Sequence, residues 1–146
     1  MGGQETLQAA AVISAGGAND GDLVALDATG RLDVSVMPAG VGADTVSAVA
    51  SEALIAGDYV NTYNNAGALN VRKADASVQT KQANGFVKSA VANGATATVF
   101  KEGTNDQRAG MTIGARQYLS ATTAGASTET PVTGSGKLHQ FLGVAM

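Results

Sequence analysis

The chain has 146 residues, of which 14% are charged and 4% aromatic, with 19 glycines, no cysteine, no tryptophan and a formal net charge of −3. Without cysteine there are no disulfides and no thiolate metal ligands. A mildly acidic chain whose one adjacent basic pair is Arg72-Lys73 lacks the grouped cations that displace counterions from nucleic acid.

The first 20 residues are rich in Gly, Ala and Gln. Residues 4–14 suit either a short helix ended by Gly16-Gly17 or an extended arm, and periodicity does not decide between them. The longest apolar run near the start, residues 9–13, falls far short of the roughly 20 residues of a membrane span. Residues 21–34 then read GDLVALDATGRLDV, a short apolar strand, a turn at Thr29-Gly30 and a second strand, which predicts a β-hairpin. Leu32, Val34 and Val36 alternate with Asp33 and Ser35, so one face of the predicted strand is apolar. Pro38 lacks an amide hydrogen and pushes Met37 to extended geometry, which ends the element. Leu32, Val34, Val36, Met37 and Pro38 are therefore the candidate interface residues. Residues 1–45 read as an N-terminal arm and hairpin for attachment, and residues 46–146 as a β-barrel domain.

From Val46 onward, strand candidates are residues 46–50, 58–63, 69–73, 85–91, 95–101, 117–121 and 138–145. The hairpin phrase returns at residues 57–71 as GDYVNTYNNAGALNV with a turn at Ala66-Gly67, and more weakly at residues 114–128 with a turn at Ala124-Gly125. Asn93-Gly94 is a strong hairpin dipeptide, placed between the fourth and fifth candidates. Residues 122–136, rich in Thr, Ser and Gly around Pro131, read as a long surface loop or irregular edge. Phe86, Val91, Val99, Phe100, Tyr118 and Leu119 are the larger core candidates. The predicted fold is all-β: a small antiparallel barrel or sandwich head with an extended N-terminal arm and hairpin.

Reactive chemistry is sparse. The single histidine, His139, shares a predicted strand face with Phe141, opposite Leu138 and Gln140, and reads as a solvent-facing or hydrogen-bonded strand residue. One histidine without cysteine is a poor zinc set. Ser135, between Gly134 and Gly136, lacks the strand-to-helix elbow of a nucleophilic serine. Asn19-Asp20-Gly21-Asp22 lacks the alternating ligands and distant Glu of a calcium loop, and no phosphate-cradling glycine motif occurs. The expectation is a structural protein, not an enzyme, with no cofactor, catalytic residue or metal.

With these elements laid out, the chain resembles the capsid decoration (cement) proteins of tailed bacteriophages. The resemblance rests on residues 21–45 (GDLVALDATGRLDVSVMPAGVGADT), 51–77 (SEALIAGDYVNTYNNAGALNVRKADAS), 85–105 (GFVKSAVANGATATVFKEGTN), 111–126 (MTIGARQYLSATTAGA) and the closing Gly143-Val144-Ala145. One departure is Ile113, where such sequences often carry Pro. The resemblance implies a β-barrel head with an N-terminal arm, bound as oligomers, often trimers, to the major capsid protein on the outer surface of the virion. There it would stabilise the shell by bridging capsid subunits, after residing in the host cytoplasm before assembly. No nucleic acid or membrane is expected as a partner. A second reading is a head-fibre, tail-fibre or receptor-binding module in which residues 122–136 or Tyr59, Tyr63 and Tyr118 contact a glycan.

Overall fold

The computed structural model of the chain describes residues 10–20, 22–33, 36–37 and 44–146. The chain divides into two compact units, Met1–Gly42 and Ala43–Met146.

In the first unit, β1 (Ala10–Ala11) and β2 (Leu23–Val24) pair in parallel, Ala10 opposite Leu23 and Ala11 opposite Val24. The expected Gly-bearing turn follows. Asp27 Oδ1 accepts hydrogen bonds from Thr29 N (2.8 Å), Thr29 Oγ1 (2.7 Å) and Arg31 N (3.0 Å), and Gly30 closes it at φ 76°. These bonds hold the exposed Asp27 carboxyl below the usual aspartate range, the Thr29 hydroxyl contributing most. The predicted hairpin is corrected in its pairing: β2 takes Ala10–Ala11 as its partner, and residues 31–33 form no strand. Two-residue strands carry too few ladder bonds for periodicity to announce them.

The second unit contains a closed five-stranded barrel. Its strands are β3 (Thr45–Ala50), β4 (Tyr59–Asn65), β5 (Ala68–Lys73), β6 (Gly85–Phe86) and β7 (Thr96–Phe100), in the order β3-β5-β4-β6-β7. Four of the five contacts are antiparallel and β3–β5 is parallel. An odd number of strands forces this, because alternating directions cannot close a ring of five. The interior is narrow, as a small strand number dictates. It is filled by Ala48, Ala50, Leu54, Val60, Val71, Val87, Ala97 and Val99, all nearly inaccessible to solvent. On β3, Ala48 and Ala50 are buried while Thr45, Ser47 and Val49 are exposed, the period of two expected of a half-buried strand. The paucity of large rings thus follows from the size of the barrel.

The second repeated phrase forms the β4–β5 hairpin with Asn65 opposite Ala68, so Ala66-Gly67 is a two-residue turn with both φ positive (51° and 90°). Asn64 Oδ1 accepts from Gly67 N at 2.8 Å and ties the turn. A non-glycine residue at positive φ is strained by about 1 kcal/mol. Asn relieves that strain, so Ala66→Asn should raise stability by about 0.5–1 kcal/mol in urea unfolding.

Asn93-Gly94 lies in a turn, Ala95 N donating to Ala92 O at 3.1 Å with Gly94 at φ 83°. It sits in the nine-residue connection between the adjacent antiparallel strands β6 and β7, which meet only at Phe86 opposite Phe100, and so is not a tight two-residue tip. The strand predicted over residues 85–91 stops at Phe86, after which Val87 bonds the Gly57–Asp58 corner and Val91 bridges Leu54. The turn itself docks on the end of β3 through Gly94 N to Ala50 O (2.7 Å) and Ala50 N to Ala95 O (2.9 Å).

The remaining strands, β8 (Arg116–Leu119), β9 (Ser127–Thr128) and β10 (Phe141–Val144), form an antiparallel sheet in the order β10-β8-β9. The third repeated phrase is the β8–β9 pair, so within residues 122–136, read as a long surface loop or irregular edge, Ser127–Thr128 form an edge strand. A second core of Ala74, Ala76 and Leu119, flanked by Tyr59, Ala83, Ala121, Val132, Leu138 and Leu142, joins this sheet to the barrel. Gln140 reinforces the junction by donating to Ala83 O (2.6 Å) and accepting from Ala83 N (2.8 Å). Among the larger core candidates, Phe86, Val99, Tyr118 and Leu119 are buried, and Val91 and Phe100 are half-buried.

Candidate functional site

Of the residues expected to form the attachment face, Leu32 is exposed, Val36 and Met37 are half-buried, and Val34 and Pro38 lie outside the described residues. The expected strand through this stretch is corrected. Residues 32 and 33 belong to no strand, and Val36 N donates to Asp33 O at 3.2 Å. Among the described residues of this unit, Ile13, Leu23, Val24 and Leu26 are each more than half exposed, with Leu32 close behind.

The second unit carries a buried polar node that sequence reading did not single out. Asp58, 2% exposed, accepts from Ile55 N at 3.0 Å through Oδ2. Arg108 lies 3.5 Å and Lys73 3.7 Å from its carboxylate. Arg108 also donates to Gly57 O at 2.9 Å and to Gly125 O, while Asn105 Nδ2 donates to Gly57 O at 2.9 Å. Gly125, at φ 79°, donates to Ala74 O (2.7 Å) and accepts from Tyr59 N (2.9 Å). A Cβ at Gly125 would stand 2.7 Å from Asp58 Oδ1. One carboxylate thus joins the β4 corner, the end of β5, the loop near Arg108 and the β8–β9 connection. The Gly-Asp opening of the second repeated phrase was the available clue; the cations come from positions with no patterned spacing. This arrangement fixes loops. Its ions are engaged with each other and with backbone carbonyls.

Arg72, the other member of the adjacent basic pair, is also internally engaged. Its Nε donates to Asn61 Oδ1 (3.0 Å), and its guanidinium lies 4.2 Å from the centre of the Tyr63 ring. The tyrosines considered for glycan contact are not gathered on one platform. Tyr59 packs in the second core, Tyr63 is covered by Arg72, and Tyr118 is buried between His139 (5.3 Å) and Phe141 (5.8 Å). His139 and Phe141 are exposed while Leu138 and Gln140 are half-buried, in line with the opposite faces that the alternation predicted. Among the described residues no group of three or more His, Cys, Asp or Glu is placed to hold a metal, and no helix is long and apolar enough to cross a membrane.

A cleft of about 820 Å³ opens in the second unit. Phe141 to Met146, Tyr59, residues 83–86 and residues of the loop from Lys101 to Arg108 line it. Gln117, 3% exposed, lines it, and its Nε2 completes no hydrogen bond; the same holds for Asn105 Oδ1. Glu129 is held below the usual glutamate range chiefly by the hydrogen bond it accepts from Thr112 N (2.6 Å).

Comparison with protein-family models, with curated proteins and with solved structures returned no match.

Proposed function

We propose that the chain is a structural protein that decorates the outer surface of a bacteriophage capsid, binding the major capsid protein through its N-terminal unit and self-associating, as a trimer, on the shell. The observation that carries this reading is the character of that unit. Its β1–β2 pairing comprises two residue pairs, yet Ile13, Leu23, Val24 and Leu26 stand more than half exposed around it. So small a sheet is marginal on its own, and clustered exposed apolar side chains mark a contact surface. The sequence resemblance to cement proteins supports the choice of partner. Weak contacts repeated over many copies reach high avidity without any single strong site.

The test is a pair of proteins, the full chain and a chain beginning at Ala43, mixed with purified undecorated capsids and imaged. Residues 43–146 should fold cooperatively, because both cores lie within them. Decoration should fall at least tenfold. Equal decoration by both proteins would overturn the assignment of the N-terminal unit. A full chain that ignores capsids but binds glycans on an array would overturn the decoration reading itself. Light scattering of the full chain should report three chain masses, and a stable monomer both free and on particles would remove the trimer.

A further inference from the structure

We infer that the free edge of β10 accepts an extended peptide segment of another protein, one carrying a carboxylate that reaches Lys101. This goes beyond decoration through the N-terminal unit, and it stands whether or not a capsid is the partner.

Six consecutive residues, Phe141 to Met146, line the cleft. All four residues of β10 (Phe141–Val144) are among them, so the strand borders the cleft along its whole length and not by one face alone. β10 is the outer strand of its sheet and pairs with β8 alone, leaving its other row of N–H and C=O groups without strand partners among the described residues. Natural edge strands are blunted by charge, proline, shortness or a bulge; β10 is short and irregular between Phe141 and Gly143 but has neither charge nor proline. It reads Phe-Leu-Gly-Val, with Phe141 and Val144 about half exposed (54% and 51%).

The occupant follows from the chemistry. Donors and acceptors alternating at strand spacing are matched by a polypeptide backbone, and a peptide laid along an edge gains affinity from those bonds and specificity from alternate side chains. Asn105 Oδ1, which belongs to a residue lining the cleft, is an acceptor not yet used. Charge refines the match. Asp106 is paired with Lys88 at 3.5 Å and Arg108 with Asp58 at 3.5 Å, whereas Lys101 lies within ion-pair distance of no carboxylate among the described residues. A carboxylate on the incoming strand fills that place. A second copy of β10 is the poorer occupant, because Phe-Leu-Gly-Val brings no acid and sets one Lys101 near another.

The test is a titration of the full ¹⁵N-labelled chain with the blocked peptide Ac-Val-Thr-Val-Asp-Val-Thr-amide and with its counterpart carrying Lys in place of Asp. Saturable shifts and slowed hydrogen exchange are expected at amides of residues 141–145. Affinity should drop at least tenfold for the lysine peptide, and Lys101→Glu should reverse that preference without moving the melting transition. Val144→Lys, a charge on the rim that leaves the cores untouched, should abolish binding. Unchanged β10 amides at millimolar peptide would overturn the inference, as would equal binding of the two peptides. Concentration-dependent shifts at β10 without peptide would overturn it in favour of self-pairing.

Discussion

Replacing Asp58 with Asn should lower the stability of the second unit by about 3 kcal/mol or more, the loss typical when one member of a buried ion pair is neutralised. Asp58 is 2% exposed, while Arg108 and Lys73 retain about a quarter or less of their side-chain exposure (21% and 26%). The two cations stay behind with little water to replace their partner. The Asn side chain keeps an acceptor for Ile55 N (3.0 Å in the parent), so its amide hydrogens fall on the side facing the Arg108 guanidinium, donor against donor. The melting transition should fall by roughly 10 °C. The readout that isolates the ion pair is a double-mutant cycle: Arg108→Met should be much less harmful on top of Asp58→Asn than in the parent. A single-variant loss below about 1 kcal/mol, or strict additivity, would show that Asp58 contributes packing and no charge coupling. Gly125→Ala should strike the same node sterically, since its Cβ would stand 2.7 Å from Asp58 Oδ1 at a positive φ.

What could be read from the sequence divides along the range of the interactions concerned. The β4–β5 hairpin was legible because everything that specifies it is local: alternation on both arms, a two-residue turn, and Asn64 three residues before Gly67. The first phrase has equivalent turn chemistry at Asp27 and Gly30, yet the strand before that turn pairs with Ala10–Ala11, two alanines that carry no pattern of their own. Val87 and Val91 continued the alternation of a strand, but their partners are the corner at Gly57–Asp58 and Leu54, distant in the chain. The Asp58 node was hidden for the same reason, since Arg108 follows far downstream without a motif. The β10 edge was half legible. Alternation placed Leu138 and Gln140 on the face opposite His139 and Phe141, but the absence of a strand on β10's far side among the described residues is a property of topology.

The barrel's closure rests on a glycine whose role lies in space and not in dihedral freedom. A Cβ on Gly85 would stand 2.5 Å from Val99 Cγ1 and 2.7 Å from Phe100 O, so Gly85→Ala should destabilise the second unit by about 2–3 kcal/mol, as overpacked cores do. Neither neighbour yields easily. Val99 is fully buried in the small-residue interior, and Phe100 O belongs to the backbone of β7. β6 has two residues and meets β7 at one pair, Phe86 opposite Phe100, so the collision falls on the contact that closes the ring. The damage should appear as faster amide exchange at residues 85–87 and 98–100 before the hairpin β4–β5 loosens. Val99→Ala alone should cost about 2 kcal/mol through the cavity it leaves. Combined with Gly85→Ala it should cost less than the sum, because one of the two collisions disappears and the new methyl occupies part of the void. The residual penalty measures the clash with Phe100 O, which no side-chain change relieves. A Gly85→Ala protein that melts with the parent and keeps its exchange pattern would mean that β6 can slide outward, and that the barrel is held shut by β3–β7 and β4–β5 alone.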